Sequence, residues 1–355
     1  MTVSVPPVAV DGSWGEGGGQ ILRTSLTLSL LTGRPLFVEN IRAGRPKPGL
    51  RPQHLAAVRA AVAVSGGRVE GAALGSGGLR FFPGKPGAGQ YSFDIGTAGA
   101  TSLVLQTVVP ALALAGGDST VTVSGGTHVP WAPTFEYLSR HWAAVMAGLG
   151  LRVRLRLERA GFYPRGGGCV RADVSGGWRP KPLAASERGA FQRAHGLSLV
   201  GRLATSIAAR QAGELEKGLR RLGLEDAFGE VAVDVVEPAA RSPGTAVYVE
   251  TEFETGRAAF SALGRRGKPA EQVAREAVNE LARFLHTDAA FDYHLADQVL
   301  LPLALADGES RFTTSAVSEH LLANAHVISL FLGQVVQTSG DVRTPGQVRV
   351  CPTGV

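Results

Sequence analysis

His320 closes the run Ser315-Ala-Val-Ser-Glu-His320, in which Ser315 or Ser318 can cap a helix that continues to Leu332. An imidazole in the first helical turn feels the positive end of the helix dipole, which disfavours the protonated ring and favours the neutral nucleophile. The same dipole draws a phosphoryl group to its side. Attack by a neutral histidine on phosphorus is therefore the sharpest chemistry on offer. His128 limits that reading, because it follows Gly116 by twelve residues just as His320 follows Gly308. Offset alone makes no nucleophile, and a capping or packing role for His320 stays open.

A second candidate is Asp11-Gly-Ser-Trp-Gly-Glu-Gly-Gly-Gly-Gln-Ile-Leu-Arg23. Its glycines let the backbone approach a bound group closely, and a helix starting at about Gln20 points free N–H groups at an anion. Glu16 can hold a divalent cation, while Gln20 and Arg23, three residues apart, share a helix face. No Lys-Ser/Thr follows the glycines as a P-loop needs, and Gly15-Glu-Gly17-Gly-Gly-Gln20 ends in Gln where the dinucleotide fingerprint has Gly or Ala. A tight turn entering a core helix is the bland alternative; the inserted Glu, Gln and Arg favour a site. In His294-Leu-Ala-Asp297-Gln298, two polar residues precede the apolar Val299-Leu-Leu-Pro-Leu-Ala-Leu, which fits either a site at the helix's polar end or an ordinary amphipathic start. Arg42, Arg45, Lys47 and Arg51 place four cations in ten residues, expected to be extended by the intervening prolines. They could track a phosphodiester backbone or form a solvated loop, and no aromatics for base stacking flank them.

The elements that must carry these residues show a pattern. Ser25–Val38, Pro110–Val123 and Pro302–Thr314 each read as helix, glycine stop and alternating strand. Aligning their glycines puts Gln106 and Gln298 at one offset, with Arg23 in that place in the first copy; Pro110 and Pro302 coincide too. A second helix follows each strand, and runs such as Leu151-Arg-Val-Arg-Leu-Arg-Leu-Glu158 place leucines on one face and arginines on the other. The expected fold is α+β, with one two-helix unit used three times. From Ala184 to Thr287 the pattern breaks, in a stretch long enough for a small α/β domain of its own. The expected division is a body of residues 1–183 and 288–355 with residues 184–287 inserted. A second glycine-rich turn, Gly161-Phe-Tyr-Pro-Arg-Gly-Gly-Gly168, lies just before it.

A chain of 355 residues with 36 basic and 30 acidic side chains, formal net charge +6, suits a polyanionic partner without demanding one. Two cysteines, Cys169 and Cys351, are too few for a disulfide framework or a cysteine zinc site. Neither a secretory pattern at Met1–Pro7 nor an apolar run long enough for a bilayer is visible, so a cytoplasmic protein without membrane contact is expected.

Together the glycine-rich Asp11–Arg23 stretch, Gly161–Gly168, His294-Leu-Ala-Asp-Gln and Ser318-Glu-His-Leu-Leu-Ala-Asn resemble the RNA 3′-terminal phosphate cyclases, in order and over essentially the whole chain. The resemblance implies three repeats, each two helices on a four-stranded sheet, with the smaller domain inserted between repeats two and three. It further implies ATP and a divalent metal, Mg2+ or Mn2+, as cofactors, and RNA ending in a 3′-phosphate as partner. His320 would form a histidyl adenylate, AMP would pass to the RNA phosphate, and the neighbouring 2′-hydroxyl would displace it to leave a 2′,3′-cyclic phosphate. Glu16 would help bind the metal; Gln20, Arg23 and Gln106 would line the nucleotide and phosphate site; Asp297 and Gln298 would lie near the adenylate. His294 stands where some members have Tyr. A related branch serves ribosome assembly without the nucleophilic histidine, so His320 argues for the catalytic one. A lysyl-adenylate ligase is disfavoured because no Lys-x-Asp-Gly surrounds any of the five lysines. An enolpyruvyl transferase, with a related repeated unit, is a further alternative. Oligomeric state stays open, a dimer included.

Overall fold

The first alternating run forms β1 (Val8–Asp11), and the glycine-dense loop after it enters α1 (Gly19–Thr32). Gly33 stops that helix at a φ of 69°, its N–H on the Ser29 carbonyl, as a glycine C-cap should. β2 (Leu36–Glu39), α2 (Pro52–Ser65), β3 (Arg68–Glu70) and β4 (Leu79–Phe82) follow. Pro52 opens α2, where its missing N–H has no intrahelical partner to lose. The sheet runs β1-β2-β4-β3, with β1 and β2 parallel and the other pairs antiparallel. This computed structural model describes residues 6–225 and 230–352. Residues 1–5, where the N-terminal stretch inspected for a leader begins, and 226–229 of the expected insertion lie outside them.

Next come β5 (Gln90–Asp94), α3 (Thr101–Leu114), β6 (Ser119–Gly125), a π-helical turn at Tyr137–Trp142 continuing as α4 (Ala143–Gly148), β7 (Val153–Arg159) and β8 (Gly168–Val174). Their sheet has the order β5-β6-β8-β7 and the same parallel, antiparallel, antiparallel pairing. Arg154 and Arg156 of β7 face solvent and Leu155 and Leu157 turn inward, as the alternation requires.

A short β9 (Ala184–Ala185) precedes β10 (Phe191–Gly201), α5 (Thr205–Arg221), β11 (Ala232–Val236), β12 (Gly244–Phe253), β13 (Arg257–Leu263) and α6 (Ala270–Leu285). The sheet β11-β10-β12-β13 carries α5 and α6. Ala270, Val273, Ala274, Ala277, Leu281 and Phe284 make the buried stripe of α6 at helical spacing, and they fill a small core of their own. α7 (Tyr293–Ala304), β14 (Ser310–Thr314), α8 (Glu319–Leu332), β15 (Val336–Ser339) and β16 (Gly346–Val350) complete the chain. Their sheet, β15-β16-β14-β9, takes its edge from Ala184–Ala185, at the start of the 184–287 segment.

The molecule is thus a mixed α/β protein whose described residues form eight α-helices and four mixed sheets of four strands. α1 is buried on nearly every side because it packs against α2, α3 and α8, while α7 packs on α8. Leu26 and Leu28 are fully buried there; each such leucine stabilises the packing by about 2 kcal/mol. This arrangement brings the first turns of α1 and α8 together with the polar residues of α3 and α7.

One expectation fails. Residues 42–51 are not extended but folded through successive turns, with Asn40 and Arg42 at φ 53° and 55° and Gly49 at 72°. A proline fixes its own φ and restrains only the residue before it, so the left-handed Arg42 and Gly49 were free to turn the chain. Arg42 donates to the carbonyls of Lys47 and Gly49, closing the loop on itself.

Candidate active site

Ser318 caps α8, its hydroxyl accepting from the Leu321 N–H at 3.0 Å, so His320 sits in the first turn. The ring's Nδ1 is buried and lies 3.1 Å from Glu16 Oε1, out of line for a full hydrogen bond. Its side chain is nevertheless 44 % exposed and lines the cleft described below. Burial lowers the His320 pKa, Arg23 and Arg45 lower it further, and Glu16 opposes them. The neutral ring is the ground state at neutral pH.

Glu16 reaches His320 from a loop that is pinned just before it. Asp11 accepts from the backbone and hydroxyl of Ser13, and Trp14 stacks on His326 of α8 at 4.3 Å. The second carboxylate oxygen of Glu16 faces Arg45 at 3.2 Å. α1 begins at Gly19, where a Cβ would stand 2.3 Å from His54 Nε2 and 2.8 Å from the Arg23 guanidinium. A larger residue there would have to displace one of these two side chains. His54 is buried, accepts from the Arg51 N–H at 3.2 Å, and is held down to about pKa 3 by burial and by Arg23, Arg42 and Arg51. It stays neutral among three cations.

Arg23 donates to Gln20 at 2.7 Å; burial brings its pKa down to about 10, still a cation at neutral pH. Asn324, four residues after His320 on α8, ties the helices together. Its oxygen accepts from Gln20 at 3.1 Å and Thr24 at 2.6 Å, and its amide donates to the Asp297 carbonyl at 2.9 Å. Gln106 donates to Gln298 at 2.7 Å, and Gln298 in turn donates to the His294 carbonyl. The two glutamines aligned in sequence therefore meet in space. Asp292 caps α7, and burial pushes the Asp297 carboxyl up to about 8.

These groups open on one cleft of about 740 Å³, lined by Gln20, Arg23, Gln106, His294, Asp297, Gln298 and His320, with the loop 129–134 and residues of β13 and α6 forming the rest of its wall. Glu16 and Arg45 stand behind His320. Arg42 is spent on loop carbonyls, Arg51 carries the N-cap of α2, and Lys47 is exposed; of that basic group Arg45 is the one that pairs with Glu16, while Arg42 and Arg51 act on His54. Sequence reasoning passed over Asn324, Thr24 and His54. For Asn324 a signal existed: it is the polar residue one helical turn from His320 in an apolar helix. Among the described residues no three His, Cys, Asp or Glu side chains gather as a metal site, and no helix is long and apolar enough to cross a membrane.

Such a site, a neutral histidine beside a carboxylate and a cation at converging helix ends, suits nucleophilic attack on a charged phosphoryl group. Residues 14–338 match the family model described as RNA 3′-terminal phosphate cyclase. The chain is 44 % identical over 354 residues to the RNA 3′-terminal phosphate cyclase of Methylococcus capsulatus, covering 98 % of this chain and 94 % of that one. The protein of the same name from Ralstonia nicotianae is 47 % identical over 92 % of both chains, and that from Thermococcus onnurineus 41 % over 97 % of this chain and 98 % of its own. The solved enolpyruvyl transferase NikO from Streptomyces tendae, at 13 % identity and a TM-score of 0.28 over 97 % of this chain and 65 % of that one, is too distant to bear on the fold. With the match spanning the loop of Glu16, the α1–α8 contact and His320 alike, the chain belongs to the RNA 3′-terminal phosphate cyclase family.

Proposed function

We propose that this chain converts an RNA 3′-terminal phosphate into a 2′,3′-cyclic phosphodiester at the expense of ATP, through an adenylate on His320. His320 Nε2 attacks the α-phosphorus of ATP, and the bond from that phosphorus to the bridging oxygen breaks to release pyrophosphate. An oxygen of the RNA 3′-phosphate then attacks the same phosphorus; the P–N bond breaks and its electron pair returns to the ring. Finally the 2′-hydroxyl attacks the 3′-phosphorus, loses its proton, and AMP leaves. The activation is needed because a phosphate oxygen departs poorly until it is part of an anhydride.

The observation that carries this reading is the place of His320: in the first turn of α8, its Nδ1 edge 3.1 Å from Glu16, its side chain lining the cleft, and its pKa lowered by burial towards the neutral ring. Arg23 supplies positive charge where phosphate oxygens gather. Gln20, Gln106, Gln298 and Asp297 orient the nucleotide, with His294 beside them on the cleft wall. For a divalent metal, Mg2+ or Mn2+, Glu16 is the carboxylate facing His320 at 3.1 Å, which fits a metal whose remaining ligands are substrate phosphates and water. Bound there, it would neutralise phosphate charge. We also infer that the three sheets sharing one strand order are copies of a single unit, and that the 184–287 segment, beyond the edge strand β9 that it lends to the third sheet, is an insertion; the common pairing pattern and the small core between that segment's own sheet and helices support both.

The test is incubation with α-labelled ATP and a divalent metal without RNA, for wild type and His320→Ala, followed by denaturing gel and acid or alkali treatment. Label that survives alkali, is lost in acid and is missing from the variant is expected of a phosphoramidate. A folded wild type that takes no label would sink the covalent route and leave an RNA-binding role.

A further inference from the structure

Trp131 is 96 % exposed, yet the loop that carries it is held rigidly. His128, the residue at the offset matching His320, is buried, bonded to Glu136 at 2.8 Å and to the Thr127 hydroxyl at 2.8 Å, and stacked on Phe162 at 4.8 Å. The Phe135 N–H closes onto the Thr127 carbonyl, Ser102 donates to the Pro133 carbonyl at 2.9 Å, and Thr134 meets Ser261 of β13 at 2.9 Å. So the matching histidine serves as an anchor, and what it anchors is the cleft's rim. At the tip, between Pro130 and Pro133, Trp131 adopts a φ of 59°, a left-handed conformation that is costly for a bulky side chain. A large aromatic surface left in water on a strained, pinned loop is the form of a platform awaiting a flat partner. It lines the same cleft as His320.

We propose that Trp131 is the stacking platform for a base at the 3′ end of the RNA. This rests on the function proposed above and deepens it. The nucleotide that reacts with His320 needs the enclosed part of the cleft beside Arg23 and Gln106. A fully exposed ring on the rim meets instead the substrate that is a polymer and must leave the cleft into solvent. Stacking accepts any base, because each has a π-face, and so suits recognition of an end rather than of a sequence.

The experiment compares wild type, Trp131→Ala and Trp131→Phe on short RNAs ending in a 3′-phosphate, intact or made abasic at the last or the next-to-last nucleotide. Label uptake from ATP without RNA is followed in parallel. W131A is expected to raise the RNA KM about 5- to 150-fold, the range of one base–aromatic stack, and W131F to recover most of it. At one of the two abasic positions the wild type should lose the same factor and W131A lose nothing more. Equal RNA KM in W131A and wild type, or a W131A penalty undiminished on both abasic RNAs, would overturn the platform while label uptake proceeds. A rise in the ATP KM for label uptake in W131A would overturn it too, by assigning the ring to the nucleotide. A wild type that takes no label counts instead against the adenylyl-transfer reading.

Discussion

Asp297 is 8 % exposed on α7, and removing its charge capacity should stabilise the protein in a pH-dependent way. Burial, with repulsion from Asp292 and Glu16, pushes its carboxyl up to about 8 from an ordinary 3.8, while Arg23 opposes the shift. Here the folded pKa is the higher one. The native carboxyl therefore contributes fully below the unfolded pKa, and that contribution is lost as pH rises towards and through the folded value. Integrating between the two values, the raised pKa of Asp297 costs about 4 kcal/mol at pH 7 and roughly 5 to 6 at pH 9. Asp297→Asn keeps the shape of the protonated acid and does not titrate. Its extra amide hydrogen costs about 1 to 3 kcal/mol if it finds no partner, but that offset is the same at every pH. Urea unfolding of both proteins from pH 5 to pH 9 should show the variant's advantage widening by about 4 kcal/mol across the range. A difference that stays flat, or one that moves against the variant as pH rises, would refute the burial argument. It would mean that Arg23 outweighs desolvation and keeps Asp297 ionised.

His54 offers the opposite sign. Its folded pKa of about 3 lies below the ordinary 6.5, so on acidification the unfolded chain takes the proton first and stability falls. Relative to His54→Gln, the wild type should lose about 2 kcal/mol between pH 7 and pH 5; parallel unfolding curves for the two proteins would contradict this. Arg45 faces Glu16 and helps to depress the His320 pKa. The acid limb of label uptake by the wild type should accordingly lie below the ordinary histidine range. Arg45→Ala should move it to higher pH in single-turnover measurements, by removing a cation that disfavours the protonated ring. A limb that does not move would detach Arg45 from the nucleophile.

What the sequence disclosed of this site stops where local signals stop. The cap at Ser318, the glycine that ends α1 and the leucine and arginine faces of β7 follow from a few neighbouring residues, and the structure has them where the pattern puts them. Prolines misled for the same reason: they constrain single bonds, and the turn at residues 42–51 is decided by left-handed Arg42 and Gly49 instead. The meeting of Glu16 with His320 is of another kind. It depends on α1 lying against α8, and the apolar faces that make this contact, rich in Ile, Leu, Val and Ala, would pack about as well on any neighbour. Polar groups remove that freedom: Asn324 has buried partners on both α1 and α7, and a shifted register would leave them unpaired at about 1 to 3 kcal/mol each. The register of the helices, and with it the position of the nucleophile, is therefore fixed by a residue that looks in sequence like an ordinary polar interruption. Trp131 is harder still to find, since in a sequence nothing separates a tryptophan destined for a core from one held out in water. The buried His128–Glu136 pair, with the Ser102–Pro133 and Thr134–Ser261 contacts of the same loop, makes the difference.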